Sequence, residues 1–185
     1  AILKKKLQAV RHEHFMAKTV YQKTKLRNRD KELRDELAQM LTDDNVIASA
    51  DAKQLVAWNP YDQNGKASFF DPEWMFGIKD GFDVVIGNPP YLRIQGIREA
   101  NPDYGDFLSR NYKAATGSFD LYVCFVERAM KLTNNDGFVN FIMPIKWSNG
   151  SFGKGLRKIV SEKHAAQRII NFGAYQVFNA STYIA

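Results

Sequence analysis

Apolar residues recur at spacings of three and four from the start of the chain: Leu3, Leu7, Val10, His14, Ala17 and Tyr21, then Leu26, Leu33, Leu37 and Leu41. That period predicts helix, and the absence of proline and glycine from Ile2 to about Leu41 lets it run unbroken. The polar stretch from Lys23 to Asp30 separates the two stripes, so the pattern fits one long helix or two joined near Asn28. A helical hairpin or coiled-coil arm over residues 1–45 is expected, ended by Asp43-Asp44-Asn45.

The pattern then changes. Asn59-Pro60, Gly65, Pro72 and Gly77 interrupt any period, while Trp58, Phe69, Phe70, Trp74 and Phe76 keep the stretch aromatic. An ordered, packed connection over 46–80 is expected rather than a flexible linker. Asp83 to Gly87 reads as a short strand whose continuous apolar character suits a parallel sheet covered on both faces. Leu121, Phe125, Ala129 and Leu132 share one helical face, and Asn134-Asn135-Asp136-Gly137 supplies a stop and turn. A strand from Phe138 to Met143, a helix from about Ser151 to Lys163 and a strand from Gln167 to Phe172 follow. Strand and helix alternate, which is the order of a doubly wound α/β sheet.

With 185 residues and 45% hydrophobic content, the chain is long enough for one ordinary domain with a core. No apolar run approaches the roughly 20 residues of a membrane span, and the lysine-rich start has no signal-peptide core. The lone Cys124 lies among Val123, Phe125 and Val126, which reads as core packing and fits a reducing cytoplasm. The formal charge of +6 is uneven: from Lys4 to Arg34, eleven Lys and Arg face only Glu13, Asp30 and Glu32. A solvated helix surface accounts for this, and contact with phosphates is the sharper alternative.

Chemistry concentrates at Asn88-Pro89-Pro90-Tyr91, which begins where the Asp83 to Gly87 strand stops. Open parallel sheets bind ligands at the carboxyl ends of their strands. An exocyclic adenine amine is a poor nucleophile because its lone pair is delocalised into the ring. The Asn88 amide oxygen and the Pro89 carbonyl can each accept one amino hydrogen, drawing the nitrogen toward tetrahedral geometry. Pro89 and Pro90 hold φ near about −65° and restrict the residue before each ring, so the acceptors are positioned in advance. Tyr91 offers an aromatic face for a base extruded from the duplex, offsetting roughly 1 to 3 kcal/mol of the flipping cost, a role in which its hydroxyl is dispensable. The four residues also fit a plain strand-ending turn.

Gly81 to Tyr91, Gly117-Ser118-Phe119-Asp120-Leu121-Tyr122 with the helix through Glu127, and Phe141-Ile142-Met143-Pro144 resemble the methyltransferase part of type IIG restriction-modification enzymes. The charged arm and the Trp58 to Gly77 stretch also resemble segments inserted before the Asn-Pro-Pro-Tyr strand of such enzymes. The resemblance implies a partial doubly wound, Rossmann-like methyltransferase sheet carrying an N-terminal helical arm, with residues 81–185 as the C-terminal half of the catalytic domain. It implies transfer of a methyl group from S-adenosylmethionine to adenine N6 in double-stranded DNA. Asn88, Pro89 and Tyr91 would hold the adenine. Pro90 and Phe125, with Asn88 bordering them, would lie against the cofactor. Phe178 would close the other face of the flipped base. Phe125 and Phe178 fit ordinary core positions equally well.

Arg93, Arg98, Lys113 and Lys146-Trp147 follow the strand ends and are candidates for backbone phosphates. Gly150 to Gly155 imitates a glycine-rich cofactor loop, but no carboxylate ends the following strand, and the segment comes after the motif rather than before it. Residues 1–80 contain only Gly65 and Gly77, so an upstream cofactor-binding half and a downstream target-recognition domain are expected in a larger parent polypeptide. No metal centre is indicated: His12 and His14 lie on different helix faces and His164 is isolated. Three readings compete: a methyltransferase of protein glutamine side chains, one of RNA adenine, and a non-catalytic DNA-binding module. The long arm and Asp120-Leu121-Tyr122 favour DNA.

Overall fold

The computed structural model describes residues 2–43, 54, 56–173 and 175. The chain divides into two compact units, Ala1–Lys79 and Asp80–Ala185.

In the first unit, α1 (Ile2–Met16) and α2 (Val20–Asp43) are separate helices. They pack together through Leu3 and Leu7 against Leu33 and Leu37, with Trp74 and Met75 of the short helix α3 (Pro72–Phe76) completing the core. The break falls at Ala17–Thr19 and not near Asn28, which lies inside α2. The reason is a reciprocal cap. Thr19 Oγ1 accepts from the Gln22 backbone N–H at 3.2 Å, while Gln22 Oε1 accepts from the Thr19 N–H at 3.4 Å. At the other end, Asp71 Oδ1 caps α3 by accepting from Trp74 N–H at 2.9 Å, with Pro72 in the first turn.

Two cations expected on a solvated surface are instead interior. Asp30 is fully buried and accepts from Arg11 Nε at 2.9 Å and Arg34 Nε at 2.8 Å. Arg11 also donates to the Trp74 carbonyl at 2.7 Å and lies over the Trp58 and Trp74 rings. Arg34 reaches the carbonyls of Val56 and Trp58. This carboxylate and its two guanidiniums tie both helices to the aromatic segment, because each buried charge is both paired and hydrogen-bonded.

The second unit is mixed α/β. Strand β1 (Phe82–Gly87) pairs in parallel with β2 (Thr133–Phe141), matching Val84 to Phe138, Val85 to Val139, Ile86 to Asn140 and Gly87 to Phe141. Between them run α4 (Ile94–Ala100), α5 (Pro102–Asn111) and α6 (Tyr122–Leu132); α7 (Lys154–Glu162) follows two 3-10 turns, Ile145–Ser148 and Ser151–Gly153. Ile94, Leu108, Phe119, Tyr122, Val123, Cys124 and Leu156 centre the core. Burial pushes the Cys124 thiol up to about 12, so it packs as an inert apolar group.

Three sequence expectations change here. Asn134 to Gly137 does not form a stop and turn before the strand; it is an irregularity within β2, opposite the single residue Asp83 between Phe82 and Val84. An Asx turn remains inside it, Asp136 N–H donating to Asn134 Oδ1 at 3.1 Å, and Gly137 fits because a Cβ there would meet Asp83 O at 2.7 Å. The stretch Gln167 to Phe172 is irregular and exposed, since a strand forms only beside a hydrogen-bonding neighbour and none of the described residues provides one. The described sheet has two strands and is not covered on both faces: Val84, Ile86 and Phe138 are exposed. Phe125, for which core and cofactor contact were equally open, is 42% exposed, while Tyr122, Val123, Val126 and Ala129 of the same helix are core. No described helix is long and apolar enough to cross a membrane.

Candidate functional site

Asn88 follows the last residue of β1, and the next three residues leave the sheet without helical or strand structure. Pairing continues for one more step at this end, Ile142 N–H donating to Gly87 O at 3.2 Å, so the turn starts from a fixed point. Pro89 is buried, while Asn88 and Pro90 are exposed. Beyond Tyr91 the chain is fixed again. Ile94 N–H donates to Phe119 O at 2.9 Å and Leu121 N–H to Leu92 O at 2.7 Å, making an antiparallel bridge between Arg93 and Asp120. The motif is thus a short proline-stiffened span held at both ends.

Within it, Tyr91 Oη donates to Asn88 Oδ1 at 2.8 Å and lies 3.2 Å from the Ile142 carbonyl. The reading of Tyr91 as a stacking face alone omits this hydroxyl, which aligns the Asn88 amide. A carbonyl oxygen has two lone pairs, so Asn88 Oδ1 keeps a second one for another donor. Burial raises the Tyr91 phenol above its ordinary value, which keeps it a donor at neutral pH. Its ring stands edge-on to Tyr122, with centroids 6.5 Å apart.

Asp120, quoted from the sequence only for its resemblance, lies beside this turn. Burial raises its carboxyl, opposed by the positive charges of Arg93 and Lys146. Two of the four candidate phosphate-binding cations therefore act on one carboxylate and lie in one region. Among the described residues, Asp120 Oδ1 and Tyr122 Oη are buried without hydrogen-bond partners, and burial, then the Asp120 charge, lifts the Tyr122 phenol to about 12. The sequence signal for these residues is weak: two polar groups flanking Leu121 at a helix start.

The other candidates separate. Arg98, exposed, donates to Ser109 Oγ at 3.0 Å, bracing α4 on α5, and Trp147 is core. Lys113 is exposed in a loop that Glu127 anchors: this buried carboxylate accepts from Ala114 N–H at 2.7 Å and lies 2.6 Å from Lys131 Nζ. Phe178 lies outside the described residues. The glycines of Gly150 to Gly155 serve packing. A Cβ on Gly153 would meet Trp147 O at 2.0 Å and one on Gly155 would meet Ala114 O at 2.4 Å, so these positions seat α7 and do not cradle a ligand. Arg157 closes the loop by donating to the carbonyls of Trp147 and Gly150 at 2.6 and 2.7 Å. Among the described residues, no group of three His, Cys, Asp or Glu side chains is placed to hold a metal ion.

Residues 3–178 match the family model described as Eco57I restriction-modification methylase. The chain is similar to the type II restriction enzyme and methyltransferase RM.Eco57I of Escherichia coli, at 38% identity over 103 residues, covering 55% of this chain and 10% of that protein. It is also similar to the type II methyltransferase M.PaeR7I of Pseudomonas aeruginosa, at 34% identity over 86 residues, covering 46% of this chain and 14% of the relative. A third relative is the type II methyltransferase M.XhoI of Xanthomonas vasicola, 32% identical over 109 residues, covering 56% of this chain and 19% of the relative. The chain thus matches about a tenth to a fifth of the length of these relatives. No solved structure matches it. With a family match running over residues 3–178 and an Asn-Pro-Pro-Tyr turn at the end of its first strand, this chain belongs to the Eco57I restriction-modification methylase family.

Proposed function

We propose that this chain forms the acceptor-binding part of an S-adenosylmethionine-dependent DNA methyltransferase that modifies adenine N6 within a restriction-modification system. Its β1-α6-β2 unit would then be one half of a doubly wound, Rossmann-like sheet. The observation that carries the reading is the aligned Asn88 amide: its oxygen is held by Tyr91 Oη at 2.8 Å, at the carboxyl end of β1, with one lone pair to spare.

An adenine amino group at this turn would donate one hydrogen to Asn88 Oδ1 and the other to the Pro89 carbonyl. Both acceptors are fixed before the substrate arrives, so the electrostatic gain comes without reorganisation. Loss of conjugation between the amino nitrogen and the purine ring then exposes the nitrogen lone pair. The methyl donor supplies an electrophilic carbon when bound; the exposed Phe125 ring and Pro90 fit the flat heteroaromatic part of such a molecule. Arg93 and Lys146, neither of them in an ion pair with a described residue, would steady the backbone of the extruded strand.

The deciding experiment supplies the full-length enzyme with methyl-labelled donor and duplex DNA, RNA or a glutamine-bearing peptide, then digests the product. N6-methyladenine from duplex DNA supports the reading. Label in cytosine, RNA or glutamine, or none at all, overturns it. A Tyr91 series separates ring from hydroxyl. Tyr91→Phe is expected to slow turnover by about 3- to 10-fold, the worth of one hydrogen bond that aligns Asn88. Tyr91→Ala removes the stacking face too and is expected to cost at least tenfold more. Equal rates for wild type and Tyr91→Phe would show that the hydroxyl aligns nothing that matters.

A further inference from the structure

The α1–α2 hairpin carries a surface that the methyl-transfer site does not use. From His14 to Arg29 the chain has five Lys and Arg and no Asp or Glu. Tertiary structure has engaged two of them: Arg27 donates to His14 Nε2 at 3.1 Å and lies over the Tyr61 ring, and Arg29 pairs with Glu32 at 2.8 Å. Lys18, Lys23 and Lys25 are in no ion pair with a described residue. At the same end, Phe15 is 82% and Tyr21 79% exposed. An open groove of about 1070 Å³ lies there, its charged lining made of Lys18, Lys25 and Arg29 together with Glu13 and Glu32.

We propose that this hairpin tip is a duplex-DNA contact, in which Lys18, Lys23 and Lys25 hold backbone phosphates while Phe15 and Tyr21 lie against the sugars. The inference rests on the reading of DNA as substrate. Charge chooses this partner over a protein: protein interfaces exclude lysine from their centres, whereas nucleic-acid interfaces are strongly positive and take most of their hydrogen bonds from phosphate and sugar. The field at the tip agrees. His14 is held below its ordinary value first by burial and then by Arg27 and Lys23, with only Asp30 opposing them.

The test titrates fluorescently labelled duplex with the 185-residue chain across a salt series, following anisotropy. For the chain carrying Lys18→Gln, Lys23→Gln and Lys25→Gln together, affinity at about 0.1 M salt should fall at least tenfold, and the slope of log K against log salt should shrink by about 0.9 per lysine. Phe15→Ala with Tyr21→Ala should weaken binding and leave the slope unchanged. Circular dichroism confirms that each variant keeps its helices. Duplex bound to the tip should also raise the pH at which His14 titrates, read by NMR. Unchanged affinity and slope in the triple variant overturns the proposal, as does wild-type chain that binds no duplex. Poly-L-glutamate competing as well as DNA would assign the tip to an acidic protein. If only Arg93→Gln and Lys146→Gln weaken binding, the tip fails and the DNA reading stands. A failed adenine assay with tip binding intact has the reverse meaning.

Discussion

Asn88→Ala in the full-length enzyme is expected to lower turnover by about two orders of magnitude or more, the loss typical of a preorganised acceptor or donor at a reacting centre. The structure makes the substitution unusually clean. Tyr91 Oη loses Asn88 Oδ1 but still lies 3.2 Å from the Ile142 carbonyl, and Pro89 stays buried, so the aromatic face and the backbone acceptor are retained. Duplex affinity should therefore change little, because one exposed amide contributes little next to phosphate contacts. Single-turnover methyl transfer, measured beside anisotropy on the same duplex, separates the two quantities. Turnover within a few-fold of wild type would remove Asn88 from the chemistry.

The largest expected effect on stability lies in the other unit. Asp30→Ala leaves Arg11 and Arg34, with side chains 13% and 6% exposed, facing each other without their shared carboxylate. Breaking a buried pair by removing one member costs about 3 to 5 kcal/mol. For a unit of this size, that corresponds to a fall of about 10 °C or more in melting temperature. Arg29→Ala is the control: its pair with Glu32 is half exposed or more on both sides, and exposed pairs contribute about 1 kcal/mol or less. Thermal unfolding followed by circular dichroism should separate the two widely, and similar melting of both variants would show that the buried triad is not what holds the hairpin to the aromatic segment.

The triad also shows where sequence reading stops. In the linear pattern Arg11 and Arg34 are two cations among eleven, and nothing local marks them as interior. Their burial follows from the Asp30 side chain pointing between the helices and from free carbonyls at Val56, Trp58 and Trp74 arriving from distant positions. The hairpin break, by contrast, was written locally. Thr19-Val20-Tyr21-Gln22 is a capping box, whereas the polar run near Asn28 continues as exposed helix surface.

What the sequence by itself determined is what short-range chemistry controls: the helical period of the arm, the apolar strand before Asn88, the proline-stiffened turn after it and the amphipathic helix of residues 122–132. Each depends on the order of side chains within a few residues, through propensity, capping and fixed φ. Tertiary structure decided the rest. Gln167 to Phe172 has strand composition but no paired neighbour among the described residues, and Phe125, which composition left open between core and surface, is exposed, because pairing and burial depend on what lies opposite in space. The Tyr91 hydroxyl lies 3.2 Å from the Ile142 carbonyl across 51 positions of sequence, and Asp120 comes beside Arg93 through a bridge spanning 27 positions. Such contacts have no local signature, since the loop closure that creates them is favourable only once the core of Ile94, Phe119 and Tyr122 has formed.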